Sequence, residues 1–190
     1  MKINSEILIS NLFNDTRNNI DFVENLKLLS DQELNKRLHQ NSWSILECIQ
    51  HLNMYSDFYH VEIDSKMKKS RISPSEYFES GLIGNYFVDS MSLDKSSKKM
   101  KTPQKMNPIF MNLNRDVLDN FIKSQYNLIE LLELAKSKNL SKIKNNISLT
   151  KLIKIRLGDT FRFIINHNVR HINQVKRILI TKGHEEIANS

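Results

Sequence analysis

Residues that interrupt helices are scarce in this chain, which has only 4 glycines and 3 prolines among 190 residues. A fold with many tight turns needs both types, so their scarcity favours long helices over a many-turned β fold. The single cysteine, Cys48, excludes an intramolecular disulfide and is typical of a reducing compartment. No stretch approaches the ~18 apolar residues of a membrane span, and the N-terminus lacks the apolar run of a signal peptide. We therefore expect a cytoplasmic protein without a membrane partner.

The formal net charge of +7 raises the question of a nucleic-acid partner. Much of the positive excess lies in residues 66–71 and 95–105, in short runs that are typical of a solvated helix end and a solvated loop. No recognition helix and no pattern of basic and aromatic residues accompanies them. A nucleic-acid partner is therefore not expected, and the salt dependence of any binding would decide the question.

Apolar residues at helical spacing predict four long helices in a single domain that covers residues 1–190. The second begins after Ser44, because Glu47 completes a capping box, and Ser30 with Glu33 spells the same signal for a short helical turn. No strand is expected. The four helices cover residues 5–26, 45–69, 114–136 and 159–183.

The helical pattern breaks over residues 70–112, where Pro74 follows Ser73 in what reads as a short capped helix. A connection of this length allows the second and third long helices to run parallel through a crossover. It is also a natural place for a lid or an interaction surface. The last connection, residues 137–158, is expected to hold a short turn of its own around residues 149–155.

Two histidines one turn apart, His167 and His171, lie on the flank of the apolar face of the last helix. Side chains at this spacing can bind one metal ion, but the pair alone is equally compatible with two hydrogen-bonded histidines at a helix boundary. Zinc-protease chemistry is excluded, because it needs Glu directly after the first histidine and the chain has Asn168. A metal site requires a third ligand.

The second long helix offers two further histidines, His51 and His60. His51 lies on the flank of its apolar stripe, whereas His60 lies about 180° away and cannot share a site with it. Cys48 lies about 60° from His51, so a role as fourth ligand is conceivable, although a small buried hydrophobic side chain is the preferred interpretation.

Three segments in register resemble the DinB/YfiT-like superfamily. The first reads Trp43-Ser-Ile-Leu-Glu-Cys-Ile-Gln-His51-Leu52. The second is Lys101-Thr-Pro103, with Pro108 a few residues on, and the third is His167-x3-His171-Ile-x-Gln174-Val-x-Arg177. The resemblance extends from residue 29 to residue 179, in the order and spacing of the family.

The resemblance implies an all-α fold, namely a four-helix bundle with an up-down-down-up arrangement that is often dimeric. It also implies a divalent metal ion held by three histidines, which fall on His51, His167 and His171 of this chain. One departure from the family is Asn168, where many members have Glu or a similar polar residue. Any supporting role of that position for the metal is therefore in doubt.

Three neutral imidazoles leave a divalent ion with an open coordination position, which is the catalytic pattern. Such an ion lowers the pKa of bound water to about 7 and favours a thiolate even more. Imidazole ligands suit Zn or Ni best here, with Fe, Co or Mn as further candidates. Superfamily members resemble transferases and isomerases that use a low-molecular-weight thiol as cosubstrate.

The resulting hypothesis is a stress-linked, metal-dependent thiol S-transferase or isomerase acting on a small electrophile, and a hydrolase would use the same site. Candidate substrate-binding residues share the flank of the histidines: Tyr55, Phe58 and Gln174. The alternative is a non-catalytic stress-response module that binds metal or acts through dimerisation. Turnover of an electrophile with a thiol would distinguish the two.

Overall fold

The computed structural model describes residues 1–92, 102–181 and 183–189, and these residues are mostly helical. The all-α class that the sequence predicts is confirmed, and the long helices lie within two residues of their expected bounds. The helices are α1 (Ser5–Leu26), α2 (Asp31–Asn35), α3 (Ile45–Lys69), α4 (Leu82–Met91), α5 (Asp116–Ala135), α6 (Leu157–Thr181) and α7 (Glu185–Ala188). In the described ranges, no helix combines the length and apolar character that crossing a bilayer requires.

Both capping boxes predicted from the sequence are present. The Ser44 hydroxyl accepts a hydrogen bond from the Glu47 N–H, and the Glu47 carboxylate accepts one from the Ser44 N–H at 2.8 Å. Ser30 and Glu33 make the same reciprocal pair at the start of α2. Each box satisfies two backbone donors that a helix start otherwise leaves unpaired, a contribution of about 1 kcal/mol. These local signals explain why α2 and α3 begin where the sequence predicted.

The expectation of no strands is wrong, because two small antiparallel sheets accompany the helices. In one, β1 (Lys2–Asn4) pairs with β2 (Tyr77–Glu79), with Ile3 opposite Phe78. In the other, β3 (Lys144–Ile147) pairs with β4 (Thr150–Arg156), which replaces the short turn expected around residues 149–155. A three-residue strand is too short to show an alternating pattern, and its partner is distant in sequence.

The short helix expected at Ser73 and Pro74 is also wrong. These residues belong to no helix, and the backbone carbonyls that follow accept hydrogen bonds from the start of α1. The Ser5 N–H donates to the Glu76 carbonyl at 2.8 Å, and the Ser5 hydroxyl donates to the Ser75 carbonyl at 2.8 Å. Pairing with the N-terminus therefore overrides the local capping signal. Residues 93–101, which include most of the basic run at 95–105 and Lys101 of the family pattern, lie outside the described residues.

The long helices pack in pairs: α1 and α3 each contact both α5 and α6. Their apolar side chains form two clusters, one that includes Leu12, Tyr59 and Phe161 and one that includes Ile20, Leu52 and Val175. Between the two clusters, each long helix carries buried polar residues. These are Thr16 and Asn19 on α1, His51 on α3, Gln125 on α5, and His167 and Asn168 on α6. We call this set the polar layer.

Asp159 joins α4 to the start of α6. Its carboxylate is fully buried and accepts hydrogen bonds from the Gly81 N–H at 2.8 Å and the Ser80 hydroxyl at 2.5 Å. Arg162 pairs with the same carboxylate at 3.1 Å. The contact is close because Gly84 has no side chain: a Cβ there would lie 2.5 Å from Asp159 Cγ. Asp159 therefore determines how near α4 packs to α6.

Replacing Gly84 by Ala should destabilise the protein by about 1–3 kcal/mol, because the new methyl group overlaps the buried Asp159 side chain. Helix propensity alone predicts the opposite sign, a gain of about 1 kcal/mol. Urea unfolding measures the difference. Glu130→Ala on α5 is the control, since Glu130 is exposed and lies away from this contact and should change stability by less than about 0.5 kcal/mol. A more stable Gly84→Ala protein would contradict the packing.

His60 lies in a second, polar cleft between α3 and α5, away from His51 as the helical spacing predicted. Asp57 and Lys123 are the charged residues that line this cleft. Burial lowers the pKa of His60 to about 4, and its Nε2 has no hydrogen-bond partner among the described residues. The folded protein therefore favours neutral His60, whereas the unfolded chain takes up a proton near the ordinary pKa of 6.5.

Because the folded pKa is the lower one, His60 contributes stability above pH 6.5 and this contribution is lost as the pH falls toward 4. Between pH 7 and pH 4.5 the loss should be roughly 2 kcal/mol. We expect His60→Gln, which does not titrate, to lose correspondingly less stability over that interval in chelator-treated protein. Unfolding curves at the two pH values test this, and an identical loss in both proteins would contradict it.

Candidate metal centre

The structure brings together His51, His167 and His171, the three histidines designated by the family resemblance. One ligand atom from each lies within 4.8 Å of the others. The ring centroids are 5.0 Å apart for His51 and His167 and 4.7 Å apart for the other two pairs. His51 lies in the second turn of α3, and the other two lie one turn apart in the middle of α6. Their role as metal ligands stays a prediction.

Hydrogen bonds determine which nitrogen of each ring is available. His51 Nδ1 donates to the Met106 carbonyl at 2.7 Å, since a carbonyl can only accept, and this leaves His51 Nε2 with its lone pair. His171 Nδ1 faces the amide oxygen of Gln174 at 3.0 Å, so the same reasoning leaves His171 Nε2 free. Partners of this type orient the imidazoles that bind metal ions in proteins.

The spacing of the free nitrogens suits a single ion. His51 Nε2 and His167 Nε2 are 3.2 Å apart. Two imidazole nitrogens that bind one tetrahedral Zn²⁺ at the usual bond length are separated by about 3.3 Å. His167 Nδ1 is buried and has no hydrogen-bond partner in the described part of the chain. The donor set could therefore hold a divalent ion.

Burial keeps all three rings neutral. It lowers the pKa of His51 to about 4, against the smaller opposing effect of its hydrogen bond to Met106. Burial, together with the nearby His51, lowers the pKa of His171 to about 3. The pKa of His167 is well below its ordinary value for the same reasons. At neutral pH each imidazole can therefore offer a lone pair to a metal ion.

The histidines line a cavity of about 940 Å³. Of the three candidate substrate-binding residues, Tyr55 and Gln174 line this cavity, and the Tyr55 ring centroid is 4.5 Å from that of His167. Phe58 instead packs edge-on against Tyr59 at 5.0 Å, beside the core, and is not among the lining residues. Burial raises the pKa of Tyr55 to about 12, so its hydroxyl remains a hydrogen-bond donor.

Trp43 is a site residue that the sequence analysis did not identify. Its ring centroid is 4.7 Å from that of His51 and 5.7 Å from that of His171. The indole N–H donates to the Asn107 side chain at 3.0 Å, which ties Trp43 to the same segment that supplies the Met106 carbonyl. Its position immediately before the Ser44 cap placed it near α3, but nothing in the sequence linked it to residues 106 and 107.

Cys48 lies in the apolar cluster beside Leu52 and is fully buried. Burial raises the pKa of its thiol, so the thiol stays protonated. The set of clustered metal-ligating groups found among the described residues comprises only the three histidines. The interpretation of Cys48 as a small buried hydrophobic side chain therefore agrees with the structure.

One of three comparisons with known proteins identifies the family of this chain. No curated protein and no solved structure matches the chain. The family model described as the DinB superfamily matches residues 13–175, a span that contains all three histidines and most of the four long helices. The chain therefore belongs to the DinB superfamily.

Proposed function

We propose that His51, His167 and His171 bind one divalent metal ion in an enzyme active site. The observation that carries the proposal is the convergence of three neutral imidazoles from two helices on one point of a large cavity. Neutral rings leave the ion its full charge, and three protein ligands leave a position open. Zn or Ni suits these ligands best, with Fe, Co or Mn as further candidates.

The reaction we propose is transfer of a low-molecular-weight thiol to a small electrophile, or a related isomerisation, in a stress-linked role. When bound, the ion would favour the deprotonated form of the thiol. The chain supplies the surroundings: Tyr55 offers a hydroxyl donor to the electrophile or its leaving group, and Trp43 covers the rings of two histidines. Met106 and Gln174 hold His51 and His171 in orientation.

We further propose that residues 1–190 form one domain in which the long helices make an up-down-down-up bundle. Side-chain contacts support the directions. The start of α5 meets the start of α3, where Asn53 donates to the Val117 carbonyl at 3.0 Å. Later residues of α3 meet earlier residues of α6, since Tyr59 contacts Phe163 whereas His51 contacts His167. The bundle would then present both metal-binding helices to one cavity.

We also propose that the protein forms a homodimer and is located in the cytoplasm. Large apolar side chains lie exposed on α4 and β4, where Leu82 and Leu152 are each 93% exposed and Tyr86 is 71% exposed. Such a patch suits burial against a second subunit. The free, buried Cys48 suits a reducing compartment.

Elemental analysis of purified, untagged protein tests the metal site. We expect about one divalent ion per chain in the wild type, and its loss in both His51→Ala and His171→Ala, because each variant leaves only two ligands. His60→Gln is the matched control, since it removes a half-buried histidine of α3 that lies in another cleft. Wild-type protein that neither contains nor takes up Zn or Ni would contradict the proposal.

A thiol-transfer assay separates an enzyme from a non-catalytic module. With N-acetylcysteine and 1-chloro-2,4-dinitrobenzene as probes, we expect saturable conjugation by metal-loaded wild type and none by His51→Ala. Tyr55→Phe should lower kcat about 10-fold or more, because it removes the hydroxyl donor beside the histidines. Phe58→Leu should retain activity, since Phe58 does not line the cavity. Metal binding without turnover would favour the non-catalytic alternative.

A further inference from the structure

The charged side chains that line the cavity in the described part of the chain are all positive. Its described lining residues include two arginines, Arg170 and Arg177, and no aspartate or glutamate. The three histidines add no negative charge, because an imidazole is either neutral or positively charged. A divalent ion would add two further positive charges to the same space. A cavity of this kind attracts anions and repels cations.

Of the two arginines that line the cavity, Arg170 lies nearer to the histidines along α6. It directly precedes His171 and lies three residues after His167, so it belongs to the same stretch of α6. Its Nη1 atom is buried and has no hydrogen-bond partner among the described residues. Leaving a buried donor of a charged group unpaired is costly, and an anion in the cavity would remove that cost.

Gln174 offers a second donor on the same side of the helix. Its amide oxygen accepts the hydrogen bond from His171, so its NH₂ group remains for another partner. Arg170 and Gln174 are four residues apart on α6, and side chains at this spacing lie one above the other. Both line the cavity. Together they present a guanidinium and an amide donor next to the histidine cluster.

We propose that Arg170, with Gln174, binds an anionic group, a carboxylate or a phosphate, of the small molecule that occupies this cavity. The inference rests on the proposed function in one respect: it places the reacting end of that molecule at the three histidines. Apolar side chains such as Phe87 and Phe163 line the remaining wall. The ligand class is therefore a small organic anion with an apolar portion, and neutral or cationic thiols bind poorly.

A matched pair of thiols tests the proposal in metal-loaded protein. Isothermal titration should show that N-acetylcysteine binds about tenfold or more tightly than its neutral amide. In Arg170→Gln this preference should fall to within about twofold. Arg170→Lys, which keeps the charge, should retain part of it. Lys176→Gln is the control, because it removes a positive charge of α6 that lies over Phe22 and not in the cavity.

Equal binding of the two thiols to wild type, or a preference that Arg170→Gln leaves intact, would overturn the inference. Should Arg170→Gln fail to fold, the comparison of wild type with Arg170→Lys still decides the matter. An unchanged preference in Arg170→Lys together with salt-insensitive binding would then count against a charge interaction.

Metal-free protein separates this inference from the proposed function. Chelator-treated wild type should bind succinate or inorganic phosphate but not succinamide, and Arg170→Gln should weaken that binding about tenfold. The tighter of the two anions identifies the group recognised. Anion binding in a protein that takes up no metal would support the anion site while refuting the metal centre. Metal uptake without any preference for anions would refute the anion site alone.

Discussion

The placement of three neutral imidazoles between two apolar clusters, with His51 and His167 buried and His171 half-buried, is the constraint on which the rest of this structure depends. A polar group removed from water needs a hydrogen bond, and His51 and His171 obtain theirs from Met106 and Gln174. These bonds use one nitrogen of each ring. The remaining nitrogens lie close to one another, with His51 Nε2 3.2 Å from His167 Nε2, and the cluster could hold a metal ion. The packing of α3 against α6 therefore also determines how the three histidines are arranged.

Hydrogen bonds with Trp43, His51 and Glu47 attach the segment around Met106 to the start of α3. Asn107 accepts the indole hydrogen bond of Trp43, and the Phe110 N–H donates to the buried Glu47 carboxylate at 2.6 Å. Arg37 pairs with the same carboxylate. Glu47 thus serves both the capping box of α3 and the attachment of this segment. Loss of the segment would leave His51 Nδ1 without its acceptor. The orientation of the His51 ring therefore depends on the connection between α4 and α5 as well as on α3.

Asp159 attaches α4 to α6, as Glu47 attaches the Met106 segment to α3. Its buried carboxylate holds the start of α4 against the first turn of α6, and the absence of a side chain at Gly84 permits the approach. The same arrangement places Phe87 of α4 in the cavity wall. The cavity is therefore lined by the three histidines, by apolar side chains of α4 and by the two arginines of α6. This composition suits a ligand with one anionic end and one apolar portion.

By itself, the sequence determined the helices and the identity of the clustered histidines. Helix starts depend on residues three positions apart, as at Ser44 and Glu47, and helix faces depend on a repeat of 3.6 residues, so both can be read locally. The family pattern then joined His51 to His167 and His171. Tertiary structure alone decided the sheet of β1 and β2, because β1 is specified by a partner more than seventy residues away.

Tertiary structure also decided which neighbours complete the site. Trp43 and Met106 come close to His51 through contacts between distant segments, and Phe58 lies outside the cavity, where its ring packs against Tyr59. On helix spacing alone, Tyr55 and Phe58 were equal candidates. Which of two adjacent flank positions faces a cavity depends on the side chains packed against it from other helices, and a single helix carries no information about those.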